Sequence, residues 1–200
     1  NGVALLTRLP LVMTDVQRGI PGFTDPAARL IAGTVQSADG PIRIINGYFV
    51  NGQAPGSEKF EYKLTWLRAL RDAVREELAA HPRLVLLGDF NIVAEDRDSF
   101  DPIGLAGTIL HTEEEREHFR QLLALGLRDA FRLFEQPDRS FSWWDYRMLG
   151  FQKNRGFRID HILLSPPLAA QASACTIDRA PRKWTKPSDH TPVVVTLGKS

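Results

Sequence analysis

Asp89 and Asn91 stand two residues apart in Gly88-Asp89-Phe90-Asn91, directly after the apolar run at residues 84–87. Extended backbone at that spacing would turn both side chains to one face at the carboxyl end of a strand. An ionised carboxylate beside a neutral amide can take a proton from water and steady a developing negative charge. Alone, the pair is also an ordinary turn after a strand. Two further clusters shift the reading from turn to site. Arg158-Ile159-Asp160-His161 leads into the apolar run ending at Leu164, and Ser188-Asp189-His190 leads into residues 193–197. Each polar group adjoins a strand-like core segment, so the three can meet at one edge of a sheet.

The chemistry these types suit is attack on a charged, reluctant electrophile such as a phosphodiester. That reaction needs a base or a metal to make hydroxide, positive charge for the phosphoryl oxygens and donors for the transition state. Asp160 is of the right type to hold His190 through one ring nitrogen and leave the other free. An oxygen-rich set with Asp89, Asn91 and Asp189 favours Mg²⁺ or Mn²⁺, and there is no Cys/His cluster at zinc spacing. Taken singly, Asp160 reads as a turn at a strand start and His190 as a satisfied surface histidine. Tyr48, after Gly47, is either a donor to a phosphate oxygen or a half-buried aromatic.

A third feature is aromatic and basic. Trp143, Trp144, Asp145, Tyr146 and Arg147 run on through Lys153, Asn154, Arg155, Gly156, Phe157 and Arg158. Rings stack on bases and sugars, and cations hold phosphates. The alternative is a core-facing aromatic cluster with solvated charges around it. A second basic run, residues 179–186, lies just before Ser188 and is placed to contact phosphate.

These residues need a frame. Two hundred residues with 43% apolar content suit one domain. A net charge of +1 leaves any attraction to a polyanion local. The single Cys175 excludes an internal disulfide, suits a reducing compartment and reads as a small packing residue. No apolar run reaches membrane-span length. Strands are expected at residues 3–7, 11–16, 28–36, 42–48, 84–87, 159–164, 171–177 and 193–197. Residues 58–80 change to helical period, with Phe60, Leu64, Leu67, Leu70 (or Arg71), Val74 and Leu78 as the packing stripe. Lys59, Lys63, Arg68, Arg75 and Glu76 fall on the opposite, solvent face. Thr112 and Glu115 have capping-box spacing ahead of a helix at 113–125. A short helix is expected within 127–134, and a long loop or loosely paired segment at 141–157. The mixture predicts α/β sheets covered by helices. The opening, Asn1-Gly2-Val3-Ala4-Leu5-Leu6, reads as a chain entered in mid-domain.

Taken in order, Asn46-Gly47-Tyr48-Phe49, Gly88-Asp89-Phe90-Asn91, Ser142-Trp143-Trp144-Asp145-Tyr146-Arg147, Asn154-Arg155-Gly156-Phe157-Arg158-Ile159-Asp160 and Ser188-Asp189-His190 resemble the motifs of the exonuclease III family of abasic-site endonucleases. That family belongs to the endonuclease/exonuclease/phosphatase fold. The resemblance implies a two-sheet β-sandwich flanked by helices, here a single domain over residues 1–200 without its N-terminal strands. It implies Mg²⁺- or Mn²⁺-dependent cleavage 5′ to abasic sites and 3′ to 5′ exonuclease action. The expected partner is double-stranded DNA with abasic or 3′-blocked ends, met by a monomer in a bacterial-type cytoplasm. By position, Asp89 would activate water, Asn91 would orient it, Tyr48 would contact phosphate and Asp160 would orient His190. Asp89, Asn91, Asp189 and His190 would lie at the metal. Trp143, Phe157 and Ile159 would line a pocket for a baseless sugar, with Trp144, Arg147 and Asn154 on DNA. The family's metal-binding Glu on an earlier strand has no counterpart here. The alternatives are a phosphatase or lipid phosphodiesterase of the same fold, or a catalytically impaired DNA-binding fragment.

Overall fold

The computed structural model describes residues 2–198. Asn1, at the start of the expected mid-domain opening, and residues 199–200 of the expected domain span lie outside the described residues. The strands are β1 (Met13–Arg18), β2 (Leu30–Ser37), β3 (Gly40–Tyr48), β4 (Leu84–Asp89), β5 (Arg128–Asp129), β6 (Trp143–Trp144), β7 (Gly156–Phe157), β8 (Asp160–Leu164), β9 (Ala172–Ile177) and β10 (Val193–Leu197). The helices are α1 (Glu58–Ala80), α2 (Glu113–Ala124) and α3 (Pro166–Ala169).

Six strands form one mixed sheet in the order β1-β2-β3-β4-β8-β5. Among the described residues, β3 and β4 are the one parallel pair, and α1 is the crossover between them, as a parallel pair requires. The alternating side chains of β4 serve two cores. Leu84 and Leu86 face α1 and α2, packing with Trp66, Leu67, Leu70, Phe119 and Leu122. Val85 and Leu87 face the β9–β10 pair, packing with Ile162, Leu164, Cys175, Val193 and Val195. The result is the expected α/β architecture: α1 and α2 on one face of the main sheet and, on the other, the two-stranded β9–β10 sheet with α3 packed into the same core.

Helix α1 starts where Ser57 accepts a hydrogen bond from the Phe60 N–H. Helix α2 starts with the reciprocal Thr112/Glu115 box read from the sequence. Two expectations about α1 are corrected. Its buried stripe is Phe60, Lys63, Trp66, Leu67, Leu70 and Val74, with Leu64 and Leu78 only half-buried. Lys63, assigned to the solvent face, is fully buried because Glu115 and two backbone carbonyls satisfy it.

The expected strand at residues 3–7 is also corrected. That segment has no ladder; its described link to the sheet is a hydrogen bond from the Asn46 amide to the Ala4 carbonyl. Within 127–134, the two-residue β5 precedes a single 3-10 turn, Ala130–Leu133, where a short helix was expected. Asp129 starts that turn by accepting from the Phe131 N–H. Within 141–157, the expected long loop or loosely paired segment, only the two-residue β6 and β7 pair with each other, and a loop with a 3-10 turn at Arg147–Leu149 joins them.

Candidate active site

Strand register gathers the first three candidates. Tyr48 pairs with Asp89 across β3 and β4, and Asp89 pairs with Asp160 across β4 and β8. The three thus form one row at the carboxyl ends of the two parallel strands, where open α/β sheets bind ligands. Close approach beneath this row requires Gly88. Its φ is +136°, and a Cβ there would fall 1.9 Å from the Gly47 carbonyl oxygen.

The chain then leaves the strand, and Asn91 sits at φ +50° with no extended backbone. The expected same-face geometry is therefore replaced by an Asx turn. The Asn91 N–H donates to Asp89 Oδ1 at 3.0 Å, and its amide donates to Asp89 Oδ2 at 3.1 Å. That amide also donates to the Phe49 carbonyl, and Asn91 Oδ1 accepts from Asn51 at 3.1 Å. Asn51 escaped the sequence reading because an Asn in a Gly-rich loop looks like any turn residue.

His190 arrives from the loop before β10. Its Nδ1 lies 2.9 Å from Asp160 Oδ2, as expected, which leaves Nε2 facing Asp89 Oδ2 at 4.0 Å. That gap exceeds a hydrogen bond and leaves room for a bridging oxygen. Burial, then the Asp160 carboxylate, push the Asp89 carboxyl up to about 7, against His190, the Asn91 N–H and Lys63. Burial opposes charge on His190, but the Asp160 hydrogen bond and charge, with Asp89 and Asp189, lift it to about 9. At neutral pH the cluster thus offers a partly ionised carboxylate near the pH where a general base works best, facing an imidazolium.

Asp189 accepts from the Trp143 indole at 2.9 Å. Trp143 in turn lies against Phe157 (5.3 Å, 12° between planes), and Phe157 against Phe100 (5.6 Å, 24°). These rings, with Leu105, Arg147 and Arg155, line a cavity of about 370 Å³. Phe100 was not singled out from the sequence. Two expected contacts are corrected. Ile159 is buried beneath the rings with Val93 and Leu110 and does not line the cavity. Trp144 is fully buried against Phe151, its indole donating to Asn154 Oδ1, so it presents no face to a ligand. Asn154 spends its other amide end on the Arg139 carbonyl. Arg147 is exposed at the cavity rim, paired with Asp145 at 2.7 Å.

The oxygen donors are of the kind a hard cation takes. Among the described residues, however, no group of three His, Cys, Asp or Glu side chains is disposed to hold a metal ion. Asp89, Asn91, Asp189 and His190 share one end of the molecule without forming a complete cation site. Among the described residues, no helix is long and apolar enough to cross a membrane.

Residues 1–190 match the model of the Endonuclease/Exonuclease/phosphatase family. The chain is 36% identical to exodeoxyribonuclease III of Haemophilus influenzae over 206 residues, covering 96% of this chain and 74% of that protein. It spans about half of two other curated relatives, 52% and 53% of their lengths. Among solved structures it resembles a 3′ phosphatase from Neisseria bound to a product DNA hairpin, at 42% identity and TM-score 0.90, over 94% of this chain and 72% of that one. It also resembles an AP endonuclease from Archaeoglobus fulgidus, at 32% identity and TM-score 0.86, over 93% and 71%. With the site's geometry and these likenesses together, the chain belongs to the endonuclease/exonuclease/phosphatase family and is a homologue of exodeoxyribonuclease III.

Proposed function

We propose that this chain carries the active centre of a DNA-repair phosphodiesterase of the exodeoxyribonuclease III type, acting on double-stranded DNA at abasic sites and at 3′-blocked ends. The observation that carries the reading is Asp89 facing His190 across 4.0 Å, next to the Trp143–Phe157 cavity. Asp89 takes the proton of the attacking water, with Asn91 fixing its carboxylate. His190, held charged by Asp160, faces the phosphoryl oxygen and balances charge as it builds. Tyr48, next to Asp89 in the row, donates to another phosphate oxygen, and Asp189 seats Trp143. The stacked rings receive the sugar, and Arg147 at the rim meets the DNA strand.

The proposal includes a requirement for Mg²⁺ or Mn²⁺ in the whole protein, a monomeric state and a cytoplasmic setting, with Cys175 buried and unpaired. The test uses the full-length protein with abasic duplex, 3′-phosphate duplex and phosphoinositide. DNA cleavage that stops with EDTA and returns with Mg²⁺ is expected. Asp89→Ala should lose about 10²–10⁴-fold in turnover. Preferential turnover of the lipid would favour the lipid phosphodiesterase reading instead. The mixed aromatic and basic cavity speaks against that outcome, because a small head group needs no stacking surface.

A further inference from the structure

The loop after β4 is held by an unusual set of donors. Lys63 Nζ donates to the Asn91 carbonyl at 2.7 Å, the His161 Nε2–H faces the Ile92 carbonyl at 3.1 Å, and Arg116 Nε donates to the Val93 carbonyl at 3.2 Å. Three basic side chains from α1, β8 and α2 thus take three successive carbonyls where the sheet ladder has ended. Lys63 is the one that touches a site residue. Its amine also donates to the Asn51 carbonyl at 3.1 Å, and its charge is met by Glu115. Both Lys63 and Glu115 are fully buried. Glu115 is itself fixed by the Thr112 N–H and hydroxyl and by the Leu110 N–H.

A buried lysine carries a large desolvation cost, and a well-packed apolar pair of the same volume would serve folding as well or better. What an apolar pair cannot do is donate hydrogen bonds. Asn91 stands in the left-handed region, which asparagine enters more readily than other side chains, so its place is set by what holds its amide and its carbonyl. We propose that Lys63, seated by Glu115, is a positioning residue. It holds the Asn91 and Asn51 carbonyls together and so keeps the Asn91 amide on the Asp89 carboxylate.

This inference rests on the nuclease reading, and the experiment separates the two. In the full-length protein, Lys63→Met leaves Glu115 without its counter-charge, whereas Lys63→Met/Glu115→Gln removes both charges and keeps the volume, with the Gln oxygen on the Thr112 N–H and hydroxyl and the Leu110 N–H left without its acceptor. Lys63→Met should lower the melting temperature by roughly 10 °C. The double variant should recover part of that loss, held below the parent by the lost acceptor. Its kcat on 3′-phosphate duplex, measured well below the melting temperature, should remain about 10²-fold down, the scale of a small misplacement of reacting groups, with KM near the parent's. Slowed turnover in a folded double variant supports positioning. Recovery of kcat to the parent's value in the double variant would overturn it, as would a Lys63→Met whose kcat is normal well below its melting temperature, since either result assigns the pair to folding alone. Asp89→Asn is the control: if it stays active the nuclease reading fails, and if it is inactive while the double variant is fully active only the positioning role fails.

Discussion

Arg158 directly follows Phe157 of the cavity, yet its contacts point away from chemistry. It is 1% exposed and donates twice to the fully buried Asp98, at 2.7 and 2.9 Å, and once to Asp129, at 2.8 Å. Arg158→Met leaves Asp98 with Arg132 but strips Asp129 of its guanidinium partner. Breaking a buried pair from one side costs about 3–5 kcal/mol. Taking about 4 kcal/mol, and about 2–4 °C per kcal/mol for a domain of this size, the melting temperature should fall by about 8–16 °C. The loss should also depend on pH. Burial pushes Asp129 up, but Arg158, with His161 and Arg132, outweighs it and holds the carboxyl below its ordinary range. In the parent this contribution is therefore present above about pH 4 and lost as pH falls through the depressed value. In the variant burial is left to dominate, so Asp129 protonates more readily and the deficit against the parent shrinks from pH 7 to pH 4. Urea denaturation of both proteins across that range measures it. A deficit under about 1 kcal/mol, or one that does not change with pH, would refute the reasoning.

Three further outcomes follow from the same geometry. Asp160→Asn removes the carboxylate that orients His190 and keeps it charged, so turnover at neutral pH should fall by about 10²-fold or more, read by steady-state kinetics. Trp143→Ala removes the end ring of the stack, the one that Asp189 holds, and should weaken DNA binding by about 1–3 kcal/mol in fluorescence anisotropy; unchanged affinity would remove the cavity from recognition. His111, His118 and His161 are held below their ordinary pKa, first by burial. The unfolded chain therefore takes up protons that the folded one refuses. The histidines' contribution to stability should be full above about pH 6.5 and fall on acidification, by at most about 1.4 kcal/mol per pH unit for each of the buried His111 and His161 and by less for the half-exposed His118.

Much of the frame was legible because it rests on local rules. The run 84–87 became β4, the Thr112/Glu115 spacing became a capping box, and the three polar clusters converged because each adjoined a sheet strand. What was not legible depends on partners far apart in sequence. Lys63 looked solvent-facing because lysine is almost never fully buried unless paired, and its partner Glu115 lies 52 residues away. Trp144 looked like its neighbour Trp143, but strand alternation sends one toward the cavity and the other into the core. Asn91 was placed on an extended strand because nothing local shows that its backbone would turn left-handed to reach Asp89. Phe100, in a loop rich in Asp and Gly, carried no periodicity to mark it.

The central claim is that Asp89 and His190, with Asp160 behind, act as one hydrolytic unit. Groups that act as a unit are strongly non-additive when removed. The direct measurement is single-turnover cleavage of abasic duplex by full-length Asp89→Asn, His190→Asn and the double variant. If the account holds, the double variant is nearly as active as the worse single variant. If the two losses multiply, Asp89 and His190 work independently and the account is contradicted.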